Sequence, residues 1–245
     1  MFRSRRRIRL ADVDPRGRVR LDAIARLLQD VAIDDVQETG WGMPEHLWFV
    51  RRIRVDVQEP FREDREIELA TWCSGLAAIA AGRRWSLIGE RGGRAEVDSV
   101  WIHLGPDQRP ARTEGFGIYA AATGGRNVST KLDLPEPPDG AATSRWQLRA
   151  TDMDLHGHVN NAVHWQAVEH ELVRSGVDPA APLVAELDYR EPIDAADEIE
   201  LVTAANGTSL LVALRTDAAV KALARVTARG LTPTRRWRIR DHEAA

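Results

Sequence analysis

Between Asp152 and Asn161 the chain reads DMDLHGHVNN, with two aspartates, two histidines and two asparagines around a glycine, directly ahead of an apolar helical pattern. A carboxylate and an imidazole so close together, Asp154 and His158, are the kinds of group that hydrolysis of an acyl bond requires: a base or nucleophile, and a partner that orients water or passes a proton. The remaining requirement is a set of donors for the oxyanion that forms at the carbonyl. A turn feeding a helix N-terminus offers them as unpaired backbone N–H groups at the positive end of the helix dipole. Asp154 is therefore the candidate base or nucleophile, and Gly157 lets the backbone turn tightly and approach a substrate. His156, a further candidate catalytic residue beside Asp154 and His158, can donate or accept a hydrogen bond. Val159, Asn160 and Asn161 lead into the helix and are expected along the substrate. Asn160 or Asn161, with Asp152, can equally close the turn and cap the helix. Two Asp and two His also raise a metal site, but no third ligand motif converges on them, and no metal or other cofactor is expected.

The same skeleton stands near the start of the chain as DVDPRGRVRL, Asp12 to Leu21. Asp12, Asp14, Gly17 and Val19 match Asp152, Asp154, Gly157 and Val159, while Arg16, Arg18 and Arg20 replace His156, His158 and Asn160. Further on, VDVQEPFREDREIELAT (Val55 to Thr71) lies over LDYREPIDAADEIELVT (Leu187 to Thr203). The order is kept and the spacing changes slightly, which indicates one fold written twice, with a short insertion in the first copy around GWGMPEHL, Gly40 to Leu47. Each turn is followed by an amphipathic helix: Ile24, Leu27, Leu28, Val31 and Ala32 in the first copy, and Val163, Trp165, Val168 and Leu172 in the second, ending near Gly40 and Gly176. Alternating runs such as IRVDVQ, with Ile53, Val55 and Val57 against Arg54, Asp56 and Gln58, then predict antiparallel strands. The Gly- and Pro-rich stretch from Thr123 to Ser144 reads as a connector. The expected organisation is an N-terminal unit over 1–122, a linker over 123–144 and a C-terminal unit over 145–245. The fold class is α+β, a tandem (double) hotdog in which each antiparallel sheet wraps around a central helix.

With these elements in place, DMDLHGHVNNAVHW resembles the D-x-N-x-H-V-N-N segment of the acyl-ACP thioesterases, double-hotdog enzymes that release fatty acids from acyl carrier protein. TWCSG with GRRW (Thr71 to Trp85) and ELDYRE (Glu186 to Glu191) resemble further segments of that family, in the same order. The resemblance spans nearly the whole chain and implies that Asp154 and His158 take the places of the family's Asp and His. His156 stands at the family's Asn. The family's downstream acid falls on Pro192 in ungapped register, with Glu191 one residue earlier, and its cysteine position is Ile193. Strand neighbours point to opposite faces, so that one-residue slip bears on whether Glu191 reaches the site. The first copy, with arginines in place of imidazoles, lacks a base-orienting group, because a guanidinium stays protonated. One active site per chain follows. The first copy is expected to supply the facing wall of the acyl pocket and arginines that attract the phosphate and acidic surface of a carrier protein.

The rest of the composition sets boundaries. The 245 residues are 43% hydrophobic, enough for a sizeable core, and the formal net charge of −3 gives no bulk basic field for nucleic acid. No run of about 20 apolar residues marks a membrane span. The basic start, MFRSRRRIRL, runs directly into strand-like sequence with no secretory signal pattern, and the single cysteine, Cys73, fits a reducing compartment, so a cytoplasmic location is expected. Cys73 reads as a small buried residue, and His46, His103, His164 and His170 as ordinary helix or strand residues. Most of the eight tryptophans belong to core, with one or two lining an acyl tunnel. The partner is acyl carrier protein bearing a fatty acyl thioester, or acyl-CoA, and a homodimer of the whole chain is compatible with this reading. Two alternatives stand beside it: a hotdog dehydratase or hydratase acting on 3-hydroxyacyl or enoyl thioesters, and a non-catalytic acyl-thioester-binding protein. The second would ordinarily carry a DNA-binding segment, and no helix-turn-helix pattern is present.

Overall fold

A computed structural model describes residues 1–39, 47–107, 109–112 and 117–229. The insertion assigned to the first copy, with His46, lies outside the described residues save for the backbone of Leu47. The elements run β1 (Phe2–Arg7), α1 (Leu21–Glu38), β2 (Leu47–Glu59), β3 (Glu66–Ala77), β4 (Ala80–Gly89), β5 (Arg94–Leu104) and α2 (Gly117–Thr123). They continue with β6 (Ala142–Trp146), α3 (Asn161–Ser175), β7 (Leu183–Tyr189), β8 (Ile199–Asn206), β9 (Ser209–Arg215) and β10 (Val220–Ala228). Among the described residues the strands form one antiparallel sheet in the order β1-β3-β4-β5-β2-β7-β10-β9-β8-β6. Read outward from the middle, each half repeats the other: β2-β5-β4-β3-β1 against β7-β10-β9-β8-β6.

The halves join where β2 pairs with β7, in the register Arg52↔Asp188, Ile53↔Leu187, Arg54↔Glu186 and Val55↔Ala185. The alternation seen in the sequence sorts the two faces of this ladder. Ile53, Val55, Leu187 and Ala185 are buried against the helices. On the opposite face Arg52 Nε donates to the Asp188 carboxylate at 2.8 Å. A sheet edge left at β2 or β7 would expose unpaired backbone groups, and the junction uses each to close the other. It also brings α1 and α3 into contact, so that a single hydrophobic core runs through both halves.

The helices arise as their sequences imply. In α1, Leu21, Ile24, Leu27, Leu28 and Val31 fall on one face and are buried, whereas Ala32 is only partly so. In α3, Val163, Trp165, Val168 and Leu172 are buried, the Asn160 side chain caps the N-terminus by accepting from Ala162 N at 2.9 Å, and Gly176 ends the helix at φ 73°. The connector is less loose than its composition suggests. Strand β6 starts within it at Ala142, and Leu134, 5% exposed, packs with Val202, Ala213 and Leu223 on the face away from the helices. No helix among the described residues is long and apolar enough to cross a membrane.

One buried ionic link crosses between the halves. Arg18 (4% exposed) donates from Nη1 and Nη2 to the two carboxylate oxygens of Glu169 on α3, at 3.0 and 2.7 Å. Glu169 Oε1 also accepts the Leu21 N–H at 2.7 Å, capping α1, whose own N-cap residue Arg20 makes no side-chain cap bond. Burial opposes the charge on Arg18, but the hydrogen bonds and charge of Glu169, then those of Asp14, outweigh it and hold the guanidinium above its usual range. Removing one partner of a buried pair leaves an uncompensated charge. Glu169→Ala is expected to lower unfolding stability by about 3 kcal/mol, read from urea denaturation, with a smaller loss for the double variant Arg18→Met/Glu169→Leu.

Candidate active site

The turn before α3 is built around the Asp154 carboxylate. Its Oδ1 accepts the backbone N–H groups of His156 at 2.8 Å and His158 at 3.3 Å, while Asp154 N donates to His158 O and Gly157 N to Asp154 O. Gly157 adopts φ 80°, a left-handed conformation that costs a residue with a Cβ about 1–2 kcal/mol. Asp152 serves this architecture and not the chemistry: it is buried, its carboxylate is gripped by Arg149 at 2.8 Å, and its carbonyl accepts Asn160 N. Val159 N donates to the carbonyl of Ile193, which fills the core at 0% exposure.

The first turn has the same backbone pattern. Asp14 Oδ1 accepts Arg16 N at 2.8 Å and Arg18 N at 3.0 Å, Gly17 sits at φ 76°, and Val19 N bonds the carbonyl of buried Phe61. The difference lies in the second oxygen. Asp14 Oδ2 accepts from Arg18 Nε at 3.0 Å, whereas Asp154 Oδ2 has no side-chain or backbone partner among the described residues. Burial works to raise the Asp14 carboxyl, but the Arg18 backbone N–H, the Arg18 charge and the Arg16 N–H outweigh it and keep it below the usual range. This corrects one expectation for the first-copy arginines. Arg18 is buried between Asp14 and Glu169, Arg20 is engaged by Asp22, and exposed Arg16 reaches Asp178 at 3.3 Å, so Arg18 and Arg20 are spent on internal pairing and not free to attract a carrier.

Asp154, His156, His158, Val159, Asn160, Asn161 and Glu191 all line a cavity of about 670 Å³; Gly157, exposed in the same turn, is not among the lining residues. The far wall comes from the first half: Ala32, Ile33 and Val36 of α1, with Trp48, Phe49 and Trp101 from the sheet. Cys73 is on this wall, 5% exposed, its thiol pushed up by burial and donating to Gly75 O, so it is no thiolate nucleophile. His156 is exposed at the mouth. Glu191 follows β7, and its carboxylate lies 3.5 Å from Lys221 Nζ, which Asp197 shares. The acid nearest the His158 ring is instead Asp194, 3.4 Å from Nε2, with the two residues bridged through their backbones. The ungapped register of the family resemblance points to Pro192 and Glu191, just ahead of Asp194. The signal available was the pairing of the copies, which sets Asp194 opposite Arg62, itself bridged to Arg18. No cluster of three or more His, Cys, Asp or Glu suited to a metal occurs among the described residues.

Two further residues line the cavity. His164, expected to be an ordinary helix residue, is 3% exposed, with Nδ1 3.2 Å from Asn160 O and its ring edge-on to Tyr189 at 5.1 Å. Tyr189 OH donates to Asn161 O at 3.0 Å, and burial raises this phenol far above its ordinary range. Burial lowers His164 to about 4, outweighing the hydrogen bond to the Asn160 carbonyl, which acts in the opposite direction. The pair braces the first turn of α3 from the cavity side.

Comparison with known proteins fits this geometry. The family model described as the acyl-ACP thioesterase N-terminal domain matches residues 1–113, and that of the C-terminal domain matches residues 136–229. The chain belongs to the acyl-ACP thioesterase family. It is 29% identical over 198 residues to an uncharacterized protein of Mycobacterium tuberculosis, covering 80% of this chain and 79% of that one. It is 26% identical over 211 residues to the chloroplastic oleoyl-acyl carrier protein thioesterase 2 of Arabidopsis thaliana, covering 75% of this chain and 57% of the plant protein. Among solved structures, the 12:0-ACP thioesterase from Umbellularia californica superposes with a TM-score of 0.75 at 17% identity, covering 93% and 96% of the two chains. An acyl-ACP thioesterase from Bacteroides thetaiotaomicron gives 0.73 at 16% identity, covering 92% and 96%. At such identities the structural likeness speaks to the fold.

The buried imidazole makes stability depend on pH in a definable direction. Between pH 6.5 and about 4 the unfolded chain binds a proton that the folded His164 site refuses, so stability present above pH 6.5 is lost as the pH falls. From pH 7 to pH 5 this group alone is expected to cost roughly 2 kcal/mol. Denaturation curves at both pH values should show a smaller difference for His164→Phe than for the wild type.

Proposed function

We propose that this chain hydrolyses the thioester of a fatty acyl group carried by acyl carrier protein, releasing the free acid, with one working site in its second half. The units are read as tandem hotdogs, 1–122 and 145–245, joined by 123–144, and the repeated strand order supports that reading. The observation that carries the site assignment is the contrast between the aspartates: Asp14 has both oxygens engaged, whereas Asp154 keeps Oδ2 for a reactant at the cavity.

In the proposed reaction Asp154 takes a proton from water as the water oxygen adds to the thioester carbonyl. The oxyanion develops against the α3 N-terminus, where backbone N–H groups and the helix dipole favour negative charge. Collapse breaks the C–S bond, and the proton is returned to the departing sulfur, leaving a carboxylic acid and a thiol. His158, with Asp194 beside its ring, orients the water or relays the proton. His156 stands at the mouth, where the carrier's thioester enters, and the apolar wall from the first half takes the acyl chain. Gly157, Val159, Asn160 and Asn161 shape the turn along which the thioester lies. The lone cysteine is in keeping with a cytoplasmic setting.

Thiol release measured across saturated acyl-ACPs and acyl-CoAs of different length tests the reading. Faster release from the ACP esters supports it, preference for CoA replaces the carrier, and turnover of 3-hydroxyacyl thioesters without thiol release substitutes a dehydratase. Asp154→Asn should fold normally and lose hydrolysis by about 100-fold or more. Asp14→Asn should lower the melting temperature yet leave turnover per folded molecule near wild type. Equal losses of turnover in the two folded variants would overturn the single-site assignment.

A further inference from the structure

The two turns are built alike, so the inactive one shows what can occupy the place that a substrate takes in the other. At the start of α1, the N–H of the first helical residue, Leu21, donates to Glu169 Oε1 at 2.7 Å. A carboxylate oxygen reaching in from the opposite helix thus occupies, in the first half, the place that the proposed reaction gives to the oxyanion in the second. Helix α3 starts at Asn161, which matches Leu21 in the repeat. The residue of α1 that matches Glu169 is Gln29, as far into its helix as Glu169 is into α3. The placement is therefore reciprocal in the repeat: α3 sends Glu169 to the N-terminus of α1, and α1 carries Gln29 at the matching position. Gln29 lines the cavity together with Asp154, His158 and Asn161 and is half-buried there.

The reciprocity stops at the hydrogen bond. The Asn161 N–H and the Gln29 amide are not bonded to each other, and no other partner of either is found among the described residues. Glu169 as an anion is drawn both to the Arg18 guanidinium and to the α1 N-terminus, so it seals that end. A neutral amide has no such pull, and His158 stands where Arg18 would have held it. Unlike a carboxylate, the amide also has two N–H donors to offer an anion.

We propose that Gln29, from the half without a base, donates its side-chain N–H to the thioester carbonyl oxygen, facing the Asn161 N–H across that atom. The working site is then shared by both halves: the second supplies base and helix N-terminus, and the first supplies the opposing donor. This rests on the thioesterase reading above. In the step itself, the carbonyl π electrons move onto oxygen as the water oxygen bonds to carbon, and the two N–H groups hold that oxyanion until the C–S bond breaks and the electrons return.

The experiment measures kcat and KM for thiol release, with a melting curve, for wild type, Gln29→Ala and Gln29→Glu. Loss of an oxyanion donor predicts that Gln29→Ala melts near wild type and loses about 100-fold in kcat with KM little changed. Gln29→Glu is expected to reproduce the seal seen at α1: it should accept the Asn161 N–H, raise the melting temperature and abolish turnover. A residue that merely fills space would change melting and activity together and would not separate kcat from KM. Wild-type kcat in Gln29→Ala overturns the proposal even should Gln29→Glu fail to fold, because the alanine variant tests the donor by itself. Absence of thiol release from the wild type with every acyl thioester overturns the thioesterase reading and this inference with it, whereas a working wild type with unaffected Gln29 variants overturns this inference alone.

Discussion

The pairing of β2 with β7 is the constraint from which the rest follows. Each strand is the inner edge of its half, and each edge needs a partner for its backbone groups. Once they are paired, α1 and α3 lie side by side on the same face of one sheet, and the N-terminus of α1 comes within reach of the Glu169 side chain of α3. The cavity is a product of the same geometry. It lies where the second half's turn faces the first half's α1 and strands, so no single copy encloses it.

Within that frame one turn design serves two ends. An aspartate accepts two backbone N–H groups, a glycine at positive φ allows the loop to close, and the following helix points its N-terminus inward. In the first half this anion-binding corner is satisfied internally. Arg18 engages Asp14, and Glu169 engages both Arg18 and the helix end, so the polar groups are paired and the corner becomes structural. In the second half the matching groups stay open to a cavity, and the polar groups that would be costly to bury unpaired are those a substrate would satisfy. The closed corner contributes stability, and the open one is available for chemistry.

The open corner is nevertheless braced. Asn160 caps α3, Arg149 fixes Asp152, and Tyr189 and His164 bond the carbonyls of Asn161 and Asn160 from the cavity side. These bonds restrain the first turn of α3, and in the proposed reaction its N–H groups are thereby held in place before a carbonyl arrives. Such preorganisation lets donors act without reorganising during the reaction. The buried imidazole does this at the expense of acid stability.

Features that depend on neighbours along the chain can be read from the residues alone. The Asp-x-x-Gly turns, the likeness of the two turns, the helices that follow them and the alternation of β2 were all legible, because their hydrogen bonds and faces close within a few residues or follow a fixed period. The resemblance of DMDLHGHVNN to a known thioesterase segment was legible for the same reason. What only the tertiary structure decided are the contacts made across the junction. Arg18 reads in the sequence as a cation for a carrier, yet Glu169, far along the chain, holds it in the core. Glu191 looked like the nearest replacement acid, yet its carboxylate sits by Lys221, and Asp194 reaches the His158 ring. His164 reads as an ordinary helix position, and the sequence does not single out Gln29, because helical spacing says which face a residue occupies and not what stands opposite. That opposing surface was set by the β2–β7 ladder and the helix packing it imposes, an association between distant segments that no local pattern encodes.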